Sequence, residues 1–143
     1  MRTLHFGLRV ADRERSLAFY VALGYEVIGS VPGTSLGDLT MIKLPGDPFV
    51  TIELVSGGSG SSVNPPSRGD GLSHFVIKVE SMDGVVAELA AEGIAPDEPP
   101  GSPDGSDEFW TAWITDPDGN RIELVQWPPG HPDGITAADW ADG

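Results

Sequence analysis

Four side chains able to bind a divalent metal recur at matched positions, His5 and Glu53 early in the chain and His74 and Glu123 later. His74 follows His5 by 69 residues, and Glu123 follows Glu53 by 70. Mixed imidazole and carboxylate donors suit Ni, Zn, Co, Fe or Mn. The chain contains no cysteine, so no thiolate is available to close a structural zinc site. Four such ligands around an octahedral ion leave two cis positions for water or a bidentate substrate. An ion held in that way polarises a carbonyl and stabilises an enediolate as charge develops on oxygen. One histidine or glutamate alone would carry little weight. Four at repeat-related positions carry much more, because duplication sets equivalent side chains around a pseudo-two-fold axis.

The elements that must position them repeat as well. LHFGLRVADRERSLAFYVALGYEV from Leu4 aligns with SHFVIKVESMDGVVAELAAEGIAP from Ser73, and FVTIELV (49–55) aligns with NRIELVQ. Each half opens on a strand of period two. Leu4, Phe6, Leu8 and Val10 share one face and His5, Gly7 and Arg9 the other, while Phe75, Ile77 and Val79 oppose His74, Val76 and Lys78. An amphipathic helix follows, with Asp12 and Ser81 as N-caps and Gly24 and Gly93 at the C-terminal ends. Leu17, Tyr20, Val21 and Leu23 form the expected buried stripe of the first helix, and Val85, Val86 and Leu89 that of the second. Further strands complete each half, their turns marked by Pro45-Gly46 and Asp116-Pro117-Asp118-Gly119. In each last strand the glutamate lies opposite the aliphatic stripe, Glu53 against Val50, Ile52 and Leu54, and Glu123 against Ile122 and Leu124. Helices covering one face of each sheet would leave the two histidines and two glutamates on the open one.

The expected fold is therefore α+β, two βαβββ modules forming a curved mixed sheet with an open metal-binding cleft. The modules span residues 1–56 and 73–127, joined by a flexible linker over 57–72 that includes GGSGSS and followed by a C-terminal arm over 128–143. Pro96 to Asp107 reads as a polar, proline-rich loop, and Ala137 to Trp140 as one terminal helical turn. Arg9, Lys78 and Trp113 are candidate substrate contacts. Arg9 and Lys78 share faces with the histidines, where they hold a substrate carboxylate or pair with nearby acids. Alternation puts Phe109 and Trp113 on a different face from Trp110, so one set walls a pocket and the other belongs to the core. His131, in a Pro/Gly-rich tail, carries little weight, and the glycine run after Glu53 lacks the lysine and helix of a phosphate loop.

The charge excludes several partners. With 22 acidic and 8 basic residues the net charge is −14, a field that repels nucleic-acid phosphates and anionic lipid surfaces. It also weighs against strongly anionic substrates. No apolar run approaches the length of a membrane span, no secretory leader is visible, and cysteine is absent, so a cytoplasmic location is expected.

The opening segment, the second start SHFVIKV and the run DPDGNRIELVQW resemble the vicinal-oxygen-chelate superfamily, which includes glyoxalase I, bleomycin-resistance proteins, extradiol dioxygenases and methylmalonyl-CoA epimerase. The similarity covers residues 1 to about 127, and the full His/Glu/His/Glu set resembles bacterial glyoxalase I. That resemblance implies one divalent ion held by His5, Glu53, His74 and Glu123. It implies that Glu53 or Glu123 moves a proton between the two carbons of a hemithioacetal. It implies a homodimer, often with the metal site shared between subunits. Two features depart from glyoxalase I. No asparagine follows Glu53, where the chain reads Leu-Val-Ser-Gly-Gly, and the later loop carries Asp104, Asp107 and Glu108 where a lysine is expected. A glyoxalase-like lyase or isomerase acting on a small α-oxo-aldehyde adduct, not necessarily one of glutathione, is the expected function. The alternatives are a non-catalytic drug- or metabolite-binding protein and an iron dioxygenase.

Overall fold

The computed structural model describes residues 4–47, 50–58, 72 and 74–132. Most of the linker and the segment assigned to a terminal helical turn lie outside the described residues. The first half runs β1 (His5–Val10), α1 (Arg13–Ala22), β2 (Glu26–Thr34), β3 (Gly37–Lys43) and β4 (Thr51–Ser56). The second runs β5 (Phe75–Lys78), α2 (Met82–Ala91), β6 (Trp110–Thr115) and β7 (Arg121–Gln126). Each half forms its own mixed sheet, ordered β1-β4-β3-β2 and β5-β7-β6. The first strand of each lies parallel to the last, and the remaining neighbours are antiparallel.

Local signals account for the helices. The Asp12 carboxylate accepts from the Arg15 amide at 3.0 Å and the Ser81 hydroxyl from the Gly84 amide at 3.1 Å, as N-caps do. Gly24 and Gly93 follow the last turns at φ of 101° and 76°. The buried side of α1 differs from the expected stripe. Tyr20 is fully buried and Leu17 and Leu23 pack against the core, but Val21 is 52% exposed and Ser16 is buried in its place. Ser16 goes inward because a partner waits there, as described below.

The second half has one strand fewer than the βαβββ pattern. After α2 the chain runs beside β6 without becoming a strand. The Asp97 amide donates to the Trp113 carbonyl at 2.7 Å, and Gly101 exchanges a single bridge with Thr111. Pro96, Pro99, Pro100 and Pro103 explain the break, because proline supplies no amide hydrogen to a ladder.

One core joins the halves. Leu8, Val10, Tyr20, Ile42, Ile52 and Leu54 from the first half and Met82, Leu89, Ile114, Ile122 and Leu124 from the second belong to a single buried cluster. Phe6 and Phe75 meet across the seam with ring centroids 5.3 Å apart.

A polar staple reinforces that seam. The turn between β6 and β7 folds around buried Asp116, whose carboxylate accepts from the Asp118 amide at 2.9 Å and the Asn120 amide at 2.7 Å. It also accepts from the Asn120 side chain and from the Tyr20 hydroxyl, each at 2.8 Å. Asp118 continues the staple to α1, accepting from the Ala11 amide and the Ser16 hydroxyl at 3.0 Å each.

Burial, with Asp116 alongside, pushes the Tyr20 hydroxyl far above its ordinary pKa, and burial with Asp47 nearby does the same to Tyr25. Above a pH of about 10 the unfolded chain releases these protons while the folded chain keeps them, so stability falls as pH rises. The melting temperature is expected to fall beyond that point, and less steeply in Tyr20→Phe. Identical alkaline profiles for the two proteins would contradict this.

Candidate metal centre

The register between first and last strands places each histidine near its glutamate. In the first half Gly7 lies opposite Glu53 and His5 opposite Thr51 on the parallel β1–β4 pair. His5 is thus diagonal to Glu53 on the face turned from the core, and the two side chains meet there with Nε2 and Oε2 3.8 Å apart. The second half repeats this. Val76 lies opposite Glu123, and His74 Nε2 stands 3.9 Å from Glu123 Oε2.

Both histidines are exposed by more than a third, and the glutamates are more enclosed, at 13% for Glu53 and 22% for Glu123. Gly7 borders the first pair, and a side chain there would make only ordinary contacts. A Cβ at that position would stand 3.9 Å from Glu53 Oε1 and 3.8 Å from the Val55 side chain.

The donor set fits a divalent ion. Two donors bound to one ion at about 2.1 Å stand about 3.0 Å apart when cis and about 3.4 Å apart in a tetrahedron, so each pair, at 3.8 Å and 3.9 Å, would have to close by a few tenths of an ångström or more to chelate one. The pairs do not converge with each other. Among the described residues no group of three or more His, Asp or Glu side chains gathers at one point.

The other sequence candidates divide. Arg9 lies on the histidine face, but its guanidinium donates to the Gly57 carbonyl at 3.2 Å and the Leu36 carbonyl at 3.5 Å, tying down the end of the first sheet. Lys78 pairs with Glu80 at 3.9 Å. Trp113 stands directly opposite Glu123 on β6 and meets the His74 ring edge-on with centroids 5.1 Å apart. Trp110 packs against the core, and Phe109 stacks on Trp127, which stacks on His131. Two features were not evident from the sequence. The Asp116 staple was visible only as a turn. Arg121 was visible only as a residue on the Glu123 face, yet its Cζ lies 4.1 Å above the Trp113 ring.

Residues 2–124 match the family model described as Glyoxalase/Bleomycin resistance protein/Dioxygenase superfamily. The chain belongs to this superfamily. Solved structures agree in fold. SMU.1112c is 26% identical, the match covering 88% of this chain and 98% of that one at a TM-score of 0.70. TnmS3, an antibiotic binding protein from Streptomyces sp. CB03234, is 24% identical over 90% and 96% of the two chains, at a TM-score of 0.65. A glyoxalase I mutant from Zea mays is 22% identical over 89% of this chain and 46% of the other, at a TM-score of 0.72. No curated protein matches the sequence significantly. No helix among the described residues is long and apolar enough to cross a membrane.

Proposed function

We propose that this superfamily member is a divalent-metal-dependent lyase or isomerase of glyoxalase I type, acting on a small α-oxo-aldehyde adduct through an enediolate. The observation that carries this reading is the duplicated His–Glu pair, 3.8 Å apart in one half and 3.9 Å in the other, on equivalent strands and faces. His5, Glu53, His74 and Glu123 would hold one Ni, Zn, Co, Fe or Mn ion. Such an ion supplies Lewis acidity, drawing electron density from a substrate carbonyl. Glu53 or Glu123 would accept the proton from the hydroxyl-bearing carbon, leaving the enediolate, and return it to the neighbouring carbon, while the hydroxyl proton passes to the former carbonyl oxygen. The net change is an isomerisation and needs no redox partner. Because the pairs stay apart within one chain, the reading includes a homodimer in which the pair of one copy completes the site of another. The exposed edge strand β2, with Val27, Ile28 and Val31 each about half exposed, offers apolar surface for association. The proposed setting is cytoplasmic, with a small-molecule substrate.

An assay of methylglyoxal with several low-molecular-weight thiols, after loading with Ni, Co or Zn, tests this. Thioester formation that depends on added metal is expected. A His5→Ala and His74→Ala mixture regaining activity that neither variant has alone would support the shared site. No turnover with any metal–thiol combination would discard the lyase reading.

A second reading is a non-catalytic small-molecule-binding protein of bleomycin-resistance type. The separation of the two pairs favours it, together with apolar Trp113 and half-exposed Val76 beside Glu123. Ligand binding unaffected by metal, with no turnover, would select it.

A further inference from the structure

The repeat is symmetric in its His–Glu pairs and asymmetric in what surrounds them. Glu53 is flanked across the sheet by Gly7 on β1 and Met41 on β3. Glu123 is flanked at the equivalent positions by Val76 on β5 and Trp113 on β6. Two residues before each glutamate stand Thr51 in the first half and Arg121 in the second. The first half sets a glycine and a flexible methionine beside its glutamate, and the second a valine and an indole. Chemistry common to both halves falls to the matched pairs, so ligand selection falls to the side that differs.

Among the described residues no carboxylate lies within 4.0 Å of the Arg121 guanidinium, as is also true of Arg9, Arg13 and Arg15. What sets Arg121 apart from those three is where its guanidinium rests: Arg9 and Arg13 donate to backbone and hydroxyl oxygens, and Arg121 lies over an aromatic ring. Its recorded contact is the Trp113 ring, 4.1 Å from Cζ to centroid. An arginine laid on an indole keeps its planar fork oriented, and the in-plane N–H groups stay free for two parallel bonds to a carboxylate. Trp113 also meets the His74 ring edge-on, so the same indole touches both Arg121 and the second His–Glu pair. Arg121 and Trp113 line a cleft of about 330 Å³ together with Thr111, Pro99, Asp97 and Glu98. The Asp97 carboxylate is engaged by the Thr115 hydroxyl at 2.9 Å and 3.2 Å.

We propose that Arg121, held on Trp113, is the specificity-determining residue of this site, selecting a small monocarboxylate with an apolar body. Arg121 takes the carboxylate in the plane of its guanidinium, and Trp113 and Pro99 contact the apolar body. Asp97 and Glu98 hold the ligand to a single negative charge. The inference rests on the open face being the ligand site, but not on catalysis or on metal.

The test is calorimetric titration of the metal-free full chain with phenylglyoxylate and with its neutral methyl ester. Wild type is expected to bind the acid at least tenfold more tightly than the ester. Arg121→Gln is expected to weaken the acid at least tenfold and leave the ester unchanged. Arg121→Lys should recover only part of the difference, because an ammonium lacks the fork. Arg15→Gln, an equal change of net charge on α1, should bind both ligands as wild type does. Equal affinity for acid and ester, no saturable binding, or the same loss in Arg15→Gln as in Arg121→Gln would each overturn the proposal. Carboxylate selection by a protein that never loads metal would sustain this inference while removing the lyase reading. Metal-dependent turnover without acid-over-ester preference would do the reverse.

Discussion

Glutamine in place of Glu123 is expected to lower turnover by about 10²–10⁴-fold, the range lost when a general base is removed. Glutamine keeps the size of the side chain and one acceptor oxygen while removing the charge that binds a cation and accepts a proton. The substitution should leave the fold intact, because Glu123 is near the surface and its recorded polar partner is His74 at 3.9 Å. Glu53→Gln should also lose metal and activity. The two variants need not lose proton transfer equally. Measured in single-turnover reactions with a deuterated hemithioacetal, the variant that loses exchange more strongly identifies the base. Turnover and melting temperature both unchanged in Glu123→Gln would remove that carboxylate from the chemistry. A melting temperature that falls with activity would instead make it structural.

Asp116→Ala is expected to be the most destabilising change outside the hydrophobic core, by about 3 kcal/mol, or roughly 10 °C in Tm. The carboxylate accepts four hydrogen bonds, two from turn amides, one from Asn120 and one from Tyr20. Alanine leaves all four donors without that acceptor, several of them away from water, and buried donors left unpaired cost more than a typical bond contributes. Tyr20→Phe deletes one of those bonds and should cost about 1–2 kcal/mol. Thermal unfolding by circular dichroism reads both. A drop below about 2 °C for Asp116→Ala would show that the staple carries little of the seam.

The sequence made the repeat legible because strands and helices imprint different periods. Alternation about His5, Glu53, His74 and Glu123 placed all four on the faces turned from the core, and the structure agrees. The caps at Asp12 and Ser81 were legible because a single side chain satisfies helix amides two or three residues away. Features decided across the chain were not legible. Ser16 goes inward and Val21 outward because Asp118, 102 residues beyond Ser16, offers Ser16 a bond that periodicity cannot reveal. The prolines after α2 were visible, but their effect on the second sheet depends on where β6 lies. Arg121 was hidden for the same reason, since its position on Trp113 comes from strand pairing. Whether the two His–Glu pairs unite is not a property of strand pattern at all; it depends on how modules meet.

The most direct test is the metal content of protein purified without chelator and then reloaded with Ni, Zn or Co, for wild type and for Glu123→Gln. About one equivalent per chain is expected in the wild type, lost or much weakened in the variant. Wild-type protein that stays metal-free after reloading would remove His5, Glu53, His74 and Glu123 as metal ligands and leave a small-molecule-binding protein.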